Sequence, residues 1–201
     1  KEKGNIDYSD KLKENAETAC KSFVNKFMNE AGYLYDYIDG NYKDLNVRPN
    51  MIFAVSLPYS PLGKRQKKSV LDFVTKELLA NCGLRTLSPK SDRFRPHYNG
   101  SENDKKFAYF NGMAFPWLFG AYIEAYLNLF QLSGLSLAER IIVNMENELQ
   151  NDCIGSISEF YDSNPPFIAH GGYSFAMSVA ELLRAKKIIS SYNTENVDIF
   201  K

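Results

Sequence analysis

AFPWLFGAYIEAYLNLFQLSGLSLAERIIVNMENELQ, residues 114–150, is the stretch on which the fold class turns. Its apolar residues return at helical spacing on both sides of Ser133-Gly134, a pair that punctuates helices. The spacing predicts two long helices at about 114–131 and 136–150. Ser136 is read as the cap of the second, with Glu139 three residues on as its capping-box partner.

Outward from this pair the pattern repeats. Leu12, Ala16, Ala19, Phe23 and Phe27 form an amphipathic stripe behind a cap at Ser9, which predicts a helix over 9–30. GYLYDYIDGNYKDLNVRP then carries Leu34, Tyr35 and Asp-Gly at 39–40, the text of a short hairpin or ordered loop. Asn50 to Leu57 reads as a buried helix ended by Pro58 and Pro61, and 64–80 as an amphipathic one with Val70, Val74 and Leu78 on its stripe. Asn81 to Asp104 has no apolar period and is longer than most connections, as is Asp152 to Gly172. A last helix is expected from about 173 to 189, before a polar tail. Helix pairs joined alternately by short turns and long loops make an all-α, α/α architecture of about six helices. The loops around 33–48, 81–106 and 152–172 are expected to gather at one end of it.

A chain of 201 residues, 44% hydrophobic, holds the apolar mass of one sizeable core, so 1–201 is read as one domain. Lysine plus arginine and aspartate plus glutamate each total 24, a balance that offers no field for nucleic acid or an anionic membrane and suits a neutral partner. The 14 Phe and 13 Tyr include rings on which the C–H faces of sugars can stack. Cys20, Cys82 and Cys153 are widely spaced and odd in number, which argues against a disulfide framework or a structural zinc site and for a reducing, cytoplasmic compartment. No apolar run approaches the roughly 20 residues that span a bilayer. Lys1 opens a charged stretch that leads straight into a helix, so the chain is expected to be a segment of a longer protein.

GSISEFYDSNPP at 155–166 resembles the GSISE-type segment of the C-terminal domain of glycogen debranching enzymes, the amylo-α-1,6-glucosidase family. Three further segments agree in order: RPNMIFAVSLPYSPL at 48–62, GLRTLSPKSDRFRPHYNG at 83–100 and SVAELLRA at 178–185. The resemblance implies an (α/α)6 toroid, of which this chain is the C-terminal part, and inverting hydrolysis of α-1,6-glucosidic branch linkages by two carboxyl groups. It also implies that Glu159 is the base. The acid would be an Asp in a Trp-containing segment on the N-terminal side of everything matched, in the remainder of the same protein, so the isolated chain is expected not to hydrolyse glucan efficiently.

The departures from the family pattern are local. Tyr109-Phe110-Asn111-Gly112 and Phe115-Pro116-Trp117 stand where Tyr-His-Gln-Gly and Trp-Pro-Trp are usual. Phe175 and Met177 replace a usual Gln and Trp, and Phe167 a frequent His. Such exchanges remove polar groups from a sugar subsite. They keep open a non-catalytic glucan-binding domain, and a related toroid acting on another α-glycoside such as trehalose.

Read without the family, Glu159 in its small-residue loop is either a base or a surface carboxylate that caps the loop, and the ordered resemblance favours the base. Asp162 either meets a sugar hydroxyl and orients the loop or forms an Asx-turn ahead of Ser163-Asn164-Pro165. Arg48 and Arg85 offer guanidinium forks for hydroxyls or a carboxylate, though structural salt bridges are the commoner fate. Tyr98 and Trp117 are assigned to sugar stacking and Tyr109 to the core. His97 and His170 are too isolated to make a zinc site, no Asp cluster suggests calcium, and no cofactor is implied. Phosphate-loop, dinucleotide and nucleophile-elbow patterns are missing from the sequence.

Overall fold

The computed structural model describes residues 6–151 and 154–197. Cys20 and Cys82 are free thiols, and Cys153 lies outside the described residues. Among the described residues the helices are α1 (Ile6–Phe27), α2 (Met51–Ser56), α3 (Lys64–Phe73), α4 (Glu102–Phe110), α5 (Leu118–Phe130), α6 (Leu135–Glu148) and α7 (Ala176–Val197). None is long and apolar enough to cross a membrane.

The 114–150 stretch folds into two helices, as its spacing predicts, but the first begins only at Leu118, because Ala114-Phe115 is extended and pairs in a sheet. α5 buries residues on nearly every side, including Phe119, Tyr122, Ile123 and Leu127, because it packs against both α2 and α7. Gly120 lets α7 approach, since a Cβ there would run into the Glu181 carboxylate. Ser136 does not cap α6, because a 3-10 turn at Gln131–Gly134 feeds the chain into the helix with Gly134, two residues earlier, at the cap. Ser9 likewise lies inside α1. α3 runs on as a π-helical turn, Val74–Leu78, which keeps Val70, Val74 and Leu78 on one fully buried stripe.

Two elements were not legible as such. SENDKKFAYF, which begins inside the expected loop and runs past its end, forms α4 behind a true capping box: Ser101 Oγ accepts from Asp104 N–H at 3.3 Å, and Ser101 N–H donates back to Asp104 Oδ2 at 2.9 Å. The second is a sheet, where almost no strand was expected. Besides the hairpin β1 (Ile38–Asp39) and β2 (Tyr42–Lys43), the loops contribute β3 (Leu79–Ala80), β4 (Gly83–Arg85), β5 (Ala114–Phe115), β6 (Phe160–Tyr161) and β7 (Ala169–His170). These five form an antiparallel meander, β3-β4-β5-β6-β7. Strands of two or three residues are too short to carry a period, but loops buried against one another must pair their backbone groups.

That meander gathers the loops. Ser88 N–H donates to Val47 O at 3.0 Å, Ser163 N–H to Pro96 O at 3.0 Å, and Arg48 Nη1 to Thr86 O at 3.0 Å. The segments around 33–48, 81–106 and 152–172 therefore meet, as expected, at one place.

Candidate active site

Glu159 stands immediately before β6, and the chain returns past it at Gly171-Gly172. Glu159 N–H donates to Gly172 O at 3.0 Å, and Gly172 N–H donates to Glu159 Oε2 at 3.1 Å. The return needs glycine: Gly171 has φ +75°, and a Cβ there would meet Glu159 Oε2 at 2.5 Å and the Phe160 ring at 2.8 Å. The small residues before Glu159 are there for packing. Ser156 Oγ is 2.7 Å from Ser174 Oγ, Phe175 N–H donates to Ile157 O, and Ser178 Oγ donates to Ser158 O, which presses the loop onto the start of α7.

The other carboxylate oxygen, Oε1, accepts from the Tyr109 hydroxyl at 2.8 Å. Tyr109 comes from the last turn of α4, and its ring is held edge-on by Phe110, Phe115 and Phe160 at 4.9–5.1 Å. Desolvation, then the hydrogen bond to Glu159 and its charge, push the phenol up to about 12, so it stays a donor. Tyr109 is thus not simply core: the sequence offered a Tyr at helical spacing, and nothing local shows that its hydroxyl reaches a carboxylate 50 residues away.

Asp162 is buried and makes no Asx-turn. Its Oδ1 accepts from Tyr98 N–H at 2.9 Å and lies 2.8 Å from His170 Nε2, while Oδ2 lies 3.0 Å from His97 Nδ1. The two histidines that looked isolated in sequence converge on one carboxylate: the β6–β7 pairing sets Phe160 opposite His170, and the bond from Ser163 N–H to Pro96 O brings His97 alongside. Among the described residues no group of His, Cys, Asp and Glu is placed to hold a metal ion. Tyr98 packs its ring against Phe160 at 5.0 Å and His170 at 5.1 Å. Glu159, Tyr109, Tyr98 and Asp162 thus share one cluster around Phe160.

Arg48, Arg85 and Trp117 lie outside it. Arg48 donates to Thr86 O, to Phe110 O at 2.6 Å and to Asn111 Oδ1 at 3.0 Å, and pairs with Asp36 at 3.6 Å. Its fork is taken up by the chain, where it holds the end of α4 and hence Tyr109. Arg85 donates to Leu79 O at 2.8 Å and Ser163 O at 3.2 Å, and burial lowers its pKa. Trp117 stacks on Phe53 at 5.9 Å and lines a cleft of 340 Å³ with Met177 and Glu181, to which Glu159 does not contribute.

The sequence profile of the amylo-alpha-1,6-glucosidase family matches residues 1–184. The chain belongs to that family. A 91-residue stretch of this amylo-alpha-1,6-glucosidase family member is 28% identical to the glycogen debranching enzyme of Saccharomyces cerevisiae, spanning 42% of the chain and 6% of that enzyme. Neutral trehalase of Saccharomyces cerevisiae superposes with a TM-score of 0.59 at 16% identity, covering 90% of this chain and 32% of the trehalase. The helices of this family member therefore form part of a trehalase-like (α/α)6 toroid. Family membership places it among glucan-directed, glycoside hydrolase-like domains.

Proposed function

We infer that this domain hydrolyses α-1,6-glucosidic branch linkages of a cytoplasmic, glycogen-like glucan with inversion, and that Glu159 is the base. The observation that supports this most is the Glu159 carboxylate itself, held by one donor on each oxygen, Tyr109 and Gly172. A carboxylate offers about four lone-pair positions, so two remain to take a proton from water attacking the anomeric carbon. An acid on the opposite face, roughly 6.5–9.5 Å from the base, protonates the leaving oxygen.

The acidic residues of the long loop are poor acids for that step. The hydroxyl and N–H of Ser101 hold Asp104 below the usual carboxylate range, the wrong direction for a general acid. Glu102 and Asp92 are exposed. We therefore assign the acid to the N-terminal remainder of the protein, which would complete the toroid as a partner of this chain.

A second reading, a glucan-binding domain without turnover, draws on Phe110 and Met177, apolar side chains 63% and 48% exposed. Glucose release from a branched limit dextrin separates the two, with the anomer followed by proton NMR. Release of β-glucose by the full-length protein and little by the isolated chain supports the hydrolytic reading. No release by either favours the binding reading.

A further inference from the structure

Arg85 closes β4, inside the meander between β3 and β5. A guanidinium carries five N–H donors and no acceptor. Nη1 donates to Leu79 O at 2.8 Å and Nη2 to Ser163 O at 3.2 Å, but Nε is buried without a protein partner. Ser163 brings a second orphan: the residue is 0% exposed, and its Oγ has no protein partner either. The bond from Nη2 to Ser163 O joins the two residues directly, so their orphaned groups lie in one neighbourhood. Buried polar groups of this kind are ordinarily met by a bound water or ion.

Charge decides between the two. The carboxylates on the neighbouring segments are committed elsewhere: Asp162, next to Ser163, to Tyr98 N–H, His97 and His170, and Glu77, two residues before Leu79, to Ser88 and Lys90. Desolvation alone lowers the Arg85 pKa, the behaviour of a cation with no acid beside it. Two carbonyls solvate a guanidinium only in part, and a buried charge left without a counter-ion is costly. A water would satisfy the donors and leave the charge, whereas an anion answers both. Packing favours a small one: Gly83, on the same face of β4 as Arg85, lies so close to β5 that a Cβ there would meet the Phe115 backbone at 2.4 Å.

We propose that Arg85 Nε and the Ser163 hydroxyl hold a monovalent anion of chloride size. Both groups donate to it, and it neutralises the guanidinium. The anion ties the end of β4 to the loop that leaves β6. That loop follows Asp162, and β6 begins one residue after Glu159, so the anion braces the carboxylate cluster from outside without touching it. The assignment stands apart from any hydrolytic reading, because it uses neither Glu159 nor a sugar.

The test is chloride-35 NMR on the full-length protein, in which the excess linewidth of the chloride signal is followed against chloride concentration, with gluconate holding the ionic strength constant. The parent is expected to broaden the signal saturably, and bromide to compete. Ser163→Ala, which removes only an orphaned hydroxyl and so should fold, is expected to weaken chloride binding roughly tenfold. Arg85→Lys keeps the charge but loses Nε–H and should weaken it at least as much. Arg93→Gln, at an exposed arginine, should match the parent. No saturable broadening by the parent overturns the proposal and leaves water as the partner of both groups. Parent-like binding by Ser163→Ala overturns it as well, whether or not Arg85→Lys folds. Equal weakening by Arg93→Gln would mark general surface binding and overturn it too.

Discussion

The hydroxyl of Tyr109 donates to Oε1 of Glu159 at 2.8 Å, joining the last turn of α4 to the loop before β6. A hydrogen bond to a charged group is worth about 1.5–3 kcal/mol. Tyr109→Phe keeps the ring and its edge contacts with Phe110, Phe115 and Phe160, so the fold should be barely affected. Glucose release by the full-length protein should fall roughly ten- to hundredfold, with kcat carrying the loss. An unchanged kcat would mean that Tyr109 does not position the base.

Gly171 and Gly155 both have positive φ, yet they differ in what surrounds them. Alanine at Gly171 meets the Glu159 carboxylate and the Phe160 ring, whereas alanine at Gly155 meets nothing within 4 Å. Gly155→Ala should cost about 1 kcal/mol of backbone strain alone. Gly171→Ala should cost about 2–4 kcal/mol and also depress glucose release, because Glu159 must move. Urea unfolding of the two variants makes the comparison.

How far the sequence reached depends on what kind of signal each feature leaves. α5 and α6 were readable because a buried helix repeats its apolar residues over many turns, and the Asp39-Gly40 hairpin because its turn chemistry is local. The meander was not, since strands such as Phe160–Tyr161 are shorter than any period. α4 hid behind charge: its capping box uses Asp where Glu or Gln is the usual signal, and of its residues only Ala108 is buried. Among the candidate residues, Glu159 was legible through an ordered set of segments. Tyr109 and the two histidines on Asp162 were not, because their partners lie 50, 65 and 8 residues away and meet only after the loops pair.

Asp162 offers a sharp distinction between its two sequence readings. As the shared acceptor of Tyr98 N–H, His97 and His170, it should lose about 1–3 kcal/mol on Asp162→Asn. That loss should couple to His170→Ala in a double-mutant cycle by about 0.5 kcal/mol or more. A local Asx-turn predicts additive losses. Thermal unfolding of the four proteins in the cycle is sufficient.

Acid stability should depend on Glu77, a buried carboxylate 2.6 Å from both Ser88 Oγ and Lys90 Nζ. Burial alone would raise it, but the bonds from Lys90 and Ser88 outweigh that and hold it below its ordinary value. A lowered folded pKa stabilises the fold above the unfolded carboxylate value of about 4.3, and this stability disappears as pH falls through the lower folded value. Lys90→Met should leave burial dominant and cost about 1–3 kcal/mol at neutral pH. Urea midpoints of the variant should therefore fall less on acidification than those of the parent.

If Glu159 activates the attacking water, Glu159→Gln removes that step. Glutamine keeps the shape and can still accept from Tyr109, although its amide nitrogen then faces the Gly172 N–H, and it cannot take a proton. Glucose release from a branched limit dextrin by the full-length protein carrying Glu159→Gln should fall by about 10²–10⁴ with the melting temperature preserved. Release at the parent rate would mean that Glu159 is not the base.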